Sequence, residues 1–244
     1  VRFAPVLSLL RHGSLPWLLG VAVVGLTFAD LLAVYRVLPG FCGALTLGTV
    51  VALTEASLRA TGLAGVGVSW AIMLVGMMPP LVSAPVNHVL ESSLPRRRMR
   101  AAALLLAAYG AIWLAAGLVL LPLAIAVMLV LHGAASAITL AVALVWSCSP
   151  LAQVARNRCH RLVRIGLRGW TADRDCLRQG WTVAPWCILS CWPWMLTAMV
   201  AGRWHLAAMS AVTLFLLMDR ILPPAQVRWR APPATDVARL AFSA

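Results

Sequence analysis

The sequence contains no lysine; all 20 basic residues are arginine. That excludes a Schiff-base lysine and the lysine of a phosphate-binding loop. Acidic residues are scarce too, seven in all. Charged residues make up 11% of the chain, against roughly 25% in a soluble domain. No G-x-S-x-G, H-E-x-x-H, Walker or dinucleotide-binding pattern is present. Nor does a pair of broken helices recur in the two halves, which counts against a small-solute transporter. The chain is therefore read as a protein without a catalytic site.

What is abundant is apolar: 62% of the 244 residues are hydrophobic, and mean hydropathy is +0.90. A water-soluble fold would leave too much of this surface uncovered, whereas lipid can cover it. With about 20 residues per span, there is room for six or seven helices. The expectation is an all-α, polytopic transmembrane bundle of six spans, at residues 15–36, 66–90, 101–122, 124–147, 183–201 and 204–222. These form one domain over 1–222, followed by a tail, 223–244, with Pro223, Pro224, Pro232 and Pro233. The turn between the third and fourth spans falls either near Pro122 or at His132-Gly133. Residues 38–58 are apolar but hold Gly40, Gly43, Gly48 and Glu55, and are read as partly embedded or interfacial.

The arginines orient this bundle. With both termini cytoplasmic, all 20 except Arg36, Arg59 and Arg203 fall on the inner side, as the positive-inside rule requires. Topology thus accounts for the net charge of +13, and nucleic acid is not a predicted partner. Arg2 and Arg11 ahead of an apolar run imitate a signal peptide, but the stretch is read as a retained first span. The longest connection, 148–182, places Leu151, Val154, Ala155, Leu162 and Val163 near one helical face. Arg156, Arg161, Arg164 and Arg168 lie on others. This predicts an amphipathic helix on an anionic inner leaflet, the plain alternative being a solvated loop. Trp17, Trp70, Trp146, Trp181, Trp186, Trp204 and Trp229 sit near span ends as an aromatic belt; Trp192 and Trp194 lie deeper.

The most suggestive chemistry is sulfur. Cys187, Cys191, Met195 and Met199 recur every four residues and make one stripe on a helix. Thiolate and thioether donors favour Cu(I), and Met73, Met77 and Met78 on the second span could face them. The plain alternative is that Met and Cys are ordinary apolar filling. Cys159, His160 and Cys176 could gather with Cys187 on the cytoplasmic side, although their spacing matches no zinc pattern. Asp30, Glu55, Cys42 and His205 could form an outward polar site. His88, Glu91, Asp219 and Arg220 are expected at the interface, pairing with Arg96 to Arg98 or reaching outward. The candidate metal ligands are Cys187, Cys191, Met195 and Cys159, with copper as the metal.

Several runs resemble domain-of-unknown-function family 2182, predicted metal-binding integral membrane proteins of bacteria. Trp70 to Pro79, with Met73, Met77 and Met78, is similar to its W-x-x-M…A-M-M-x-P signature. Tyr109 to Trp113, Ser149-Pro150-Leu151, Leu177 to Gly180 and Cys187 to Trp192 resemble further segments. Met218-Asp219-Arg220 stands where the family has Glu-Lys. The likeness covers about 66–222 and implies a multi-pass protein of the bacterial inner membrane. The sequence departs at Ala155 and Ser190, where the family has cysteines, and at Thr182-Val183-Ala184, where it has R-H-G. Two roles follow from the resemblance: a metal-associated or accessory subunit of a membrane metalloenzyme complex, or a purely structural subunit of a larger membrane assembly that has lost the metal.

Overall fold

A computed structural model gives the fold and describes residues 70–232, apart from 72, 167, 222 and 223. The first expected span, residues 38–58, Asp30, Glu55, Cys42 and the end of the tail lie outside the described residues. Within them all regular structure is helical, with no strand.

Residues 70, 71 and 73–77 are helical and lead, after a bend at Met78, into α1 (Pro79–Ser92). A 3-10 turn at Pro95–Arg97 starts α2 (Arg98–Leu131). A second turn at His132–Ala134 leads to α3 (Ala135–Cys148), and α4 (Pro150–Cys159) follows directly. After an irregular stretch, α5 runs Gly169–Met199 and α6 His205–Ile221.

The side-chain pairings fix the direction of each helix. Trp70 Nε1 donates to Trp113 O at 3.0 Å, and Tyr109 OH donates to Met78 Sδ at 3.5 Å, so α1 and the turns before it run antiparallel to α2. Arg97 and Arg100 reach Asp173, and Tyr109 reaches Cys187, so α2 and α5 are parallel. Ser136 Oγ donates to Val200 O at 2.9 Å and Trp146 Nε1 to Leu189 O at 2.9 Å, so α3 is antiparallel to α5. The rings of Trp194 and Phe215 stand 4.3 Å apart and Arg220 reaches Cys187, so α6 is also antiparallel to α5. The core elements therefore alternate down, up, down, up, down, and α5 touches every one of them.

The chain reverses between α2 and α3 at His132, whose φ of 46° ends the helix. Of the two places expected for this turn, the structure uses His132-Gly133. Pro122 lies inside an unbroken α2, where its ring is accommodated without ending the helix.

The stretch Pro95–Cys148 is long and apolar enough to cross a membrane. Its most apolar 18 residues have a mean hydropathy of 2.8, and only 17% of them are buried. Leu118, Val119, Val130 and Val145 stand exposed along it. Among the described residues no other helical stretch meets the same measure of length and hydropathy. The 14 residues of α1 and 17 of α6 are too short, and α5 carries charges in its first half and Pro185, Trp186, Trp192, Pro193 and Trp194 in its second.

The connection 148–182 differs from its expected form. Its helix ends at Cys159, and its inner face is formed by Ala152, Gln153, Ala155, Arg156 and Cys159, while Leu151 and Leu162 are exposed. Ser149 caps it, accepting from Ala152 N at 3.2 Å. Buried hydrogen bonds turned Arg156 inward, which a reading by hydrophobicity alone assigns to the surface. Residues 161–166 are pinned without helix: Val163 N donates to Gln179 Oε1 at 2.6 Å, Gly166 N to Asp175 Oδ2 at 3.0 Å, and His88 Nε2 to Val163 O at 2.9 Å. The segment after α6 is held as well. Asn157 Nδ2 donates to Ala225 O at 2.7 Å and Ala225 N returns a bond to Asn157 Oδ1 at 3.1 Å, while Arg230 N donates to Cys148 O.

The α2–α5 interface depends on Gly180. A Cβ at that position would stand 2.4 Å from Leu105 O and 3.0 Å from Tyr109 N, so the helices meet backbone to backbone. Gly180→Ala is expected to lower stability by about 1–3 kcal/mol through overpacking, despite alanine's better helix propensity. Thermal unfolding in detergent checks this; an unchanged or raised midpoint would show that the crossing is loose.

Candidate functional site

Tyr109 lies on α2 at the Gly180 crossing, and Cys187 lies two turns beyond that crossing on α5. The phenol donates to Cys187 Sγ at 3.1 Å, and its oxygen is 3.5 Å from Met78 Sδ. The break in the helix at Met78 places this thioether against α2. One turn on from Cys187, the Cys191 thiol donates to Cys187 O at 2.9 Å and neighbours the Cys187 sulfur. Met195, another turn on, continues the same face and is fully buried, as are Cys187 and Cys191. From α6, Arg220 Nη2 donates to Cys187 Sγ at 3.0 Å, and the guanidinium also reaches the Cys159 sulfur at the end of α4. Ser190 lies beside that thiol and donates its own hydroxyl proton to Cys187 O at 2.8 Å.

Four of five described cysteines are buried and all five are free thiols. The structure thus brings Cys159, Cys187 and Cys191 to one place, with Met78 alongside. Cys176 stands apart, beside Asp173 and Asp175 near the start of α5, and His160 is near Arg220. Among the described residues no three His, Cys, Asp or Glu side chains gather closely enough to hold a metal. The guanidinium of Arg220 touches both the Cys159 and the Cys187 sulfurs. The donors themselves suit a soft monovalent metal: three thiols and the thioethers of Met78 and Met195 under an apolar cover.

A second buried polar group lies next to it. Asp219 does not pair outward, as expected of a helix end. Its Oδ2 accepts from Arg156 Nη1 at 3.4 Å, and both side chains are 6% exposed. Arg156 Nη2 donates to Ser147 O and Gln153 Oε1, both at 3.0 Å, while Ser147 Oγ accepts from Trp194 Nε1 at 2.8 Å. This network ties α3, α4, α5 and α6 together below the sulfur cluster. His205, expected in an outward polar site, places Nδ1 at 2.7 Å from Ala198 O. Trp70 is buried inside the bundle, not in a belt, whereas Trp181, Trp204 and Trp229 are exposed.

The sequence names Cys159, Cys187, Cys191 and Met195 as candidate ligands but does not point to Tyr109 and Arg220 as their neighbours. One signal was present: an ionised side chain at a span end that has no need to face water.

The fold and the cluster define a helical protein with a buried, thiol-rich centre. The model of a family described as PpoB2, copper chaperone, matches residues 67–240, and the chain belongs to this family. No curated protein and no solved structure matches the chain.

Two predictions follow from the geometry. Burial pushes the Cys159 thiol up to about 11, against the opposing pull of Arg220. Only about one part in a thousand is thiolate at pH 8. Iodoacetamide labelling of Cys159 in the folded protein should therefore be far slower at pH 8 than in the denatured chain, and rise until about pH 11; equal rates in both states would contradict this. Asp219→Asn leaves Arg156 buried without its carboxylate and should cost about 3–5 kcal/mol. The double variant Arg156→Met/Asp219→Leu should recover most of that in the same melt, and a double variant as unstable as the single one would count against the pair.

Proposed function

We propose that this chain is a multi-pass protein of the bacterial inner membrane that binds cuprous copper and serves as an accessory to a membrane metalloenzyme. The observation that carries this reading is the buried Cys187–Cys191 pair, with Met78 reached through Tyr109 and Cys159 through Arg220, in a chain whose family is described by copper chaperoning. Cys187 and Cys191 are the primary ligands, with Met195 and Cys159 at the margins of the site. Thiolates take the metal and thioethers retain it in the monovalent state. Tyr109 and Ser190 hold the donors in place, and the apolar exterior keeps water away from the bound ion.

The membrane placement rests on the apolar outside of Pro95–Cys148, whose exposed leucines and valines have no reason to face water. The alternating helices and the arginines gathered at the α2 and α5 starts favour six spans with both termini cytoplasmic. The anionic inner leaflet lies against Arg96, Arg98 and Arg168. The signatures shared with family 2182, over about 66–222, fall almost wholly inside the matched 67–240, and we read the two descriptions as referring to related proteins. A second reading, a structural subunit that no longer binds metal, draws on Ala155 and Ser190 standing where that family carries cysteine.

Copper analysis of the purified protein separates the two. Wild type loaded with Cu(I) should retain about one ion per chain after desalting, and Cys187→Ser/Cys191→Ser almost none. Equal metal in both would sink the copper reading and leave the structural one.

A further inference from the structure

Arg220 is the anomaly of the site. None of the ion pairs among the described residues includes it, since Asp219 beside it turns to Arg156. Its guanidinium instead reaches the sulfurs of Cys187 and Cys159. A buried cation needs a compensating partner, and a guanidinium is normally matched to oxygen acids. Here a fixed positive charge touches two of the three cysteine sulfurs, where a monovalent metal ion would bind.

We propose that Arg220 is a built-in counter-cation, which occupies the sulfur site while it is empty and which Cu(I) displaces on loading. Cu(I) takes the place of the guanidinium: it forms bonds to the Cys187, Cys191 and Cys159 sulfurs, the Cys191 and Cys159 thiols lose their protons to solvent, the guanidinium hydrogen bonds to Cys187 and Cys159 break, and no oxidation state changes. Removal of the guanidinium also lets Cys159 approach the pair from which it is now separated. In the reverse direction, the returning guanidinium replaces the charge of the departing ion. The site can then release copper without leaving its sulfur donors uncompensated in an apolar surrounding. Arg220 is thus a positioning residue that weakens copper retention and speeds release. Arg220 as a whole residue is only partly buried, which leaves it contact with the outside of the bundle at the end of α6.

This inference rests on copper binding at the thiols, and the experiment keeps the two apart. Cu(I) affinity and release would be measured by competition with a chromogenic cuprous chelator, using full-length protein in detergent. Arg220→Met should bind Cu(I) about tenfold tighter or more than wild type and release it correspondingly slower, the scale of one like charge removed from a few ångströms away. Arg220→Lys, which keeps a cation, should stay close to wild type. In the wild-type protein, phenylglyoxal modification of Arg220, read by peptide mass spectrometry, should rise severalfold on loading with Cu(I). This last measurement does not depend on any variant folding. If Cys187→Ser/Cys191→Ser abolishes binding but Arg220→Met binds no tighter than wild type, the counter-cation is overturned and the copper site stands. Unchanged Arg220 modification on loading overturns it equally. If the cysteine variant binds as wild type does, both ideas fall.

Discussion

Gly180 lets the backbone of α5 touch that of α2, and most of the structure follows from that contact. Without a side chain in the way, Leu105 O and the Tyr109 amide lie against the α5 axis. Arg97 and Arg100 then reach Asp173 at one end, and Tyr109 reaches Cys187 at the other. Close approach of two helices through a small residue is the usual way to pack where lipid removes any hydrophobic force between them. The other helices assemble on this pair. Trp70 lies over Gly117 on α2, and Trp146, Trp194 and Phe215 pack α3 and α6 onto α5.

The polar groups below that crossing are arranged so that neighbouring arginines have different counterparts. Arg156 is held by Asp219, Ser147 and Gln153, all oxygen acceptors. Arg220, one residue from Asp219, is held by sulfur. Because a helix points residues 219 and 220 about 100° apart, one turn of α6 can serve both networks at once. Loss of the Arg156–Asp219 pair would therefore be felt at the sulfur cluster even though Arg156 does not touch it.

Much of this was legible in the sequence for simple reasons. The four-residue spacing of Cys187, Cys191 and Met195 survives in any helix, so their shared face needed no knowledge of neighbours. The helical class and the apolar hairpin followed from length and hydropathy. What was not legible depended on contacts distant in sequence. Pro122 marks a turn by local propensity, yet the chain turns ten residues later at His132, because packing of α2 overrides that signal. Arg156 and Leu151 exchanged their expected faces, because Asp219, 63 residues away, draws the arginine inward. Tyr109 and Arg220 come from two other helices, and nothing in their own surroundings announces a sulfur partner.

The composition and the site are connected through the absence of lysine. A lysine ammonium is compact and strongly hydrated, and it loses its proton readily when buried. A guanidinium keeps its charge in an apolar setting and can touch two acceptors at once with one planar group. Only the latter can bridge Cys159 and Cys187 while remaining a cation among apolar side chains. The same property suits Arg97 and Arg100 at the start of α2, which pair with Asp173 of α5. An all-arginine chain is therefore consistent with both needs: cations that join α2 to α5 at Asp173, and one cation held against sulfur between α6 and α5.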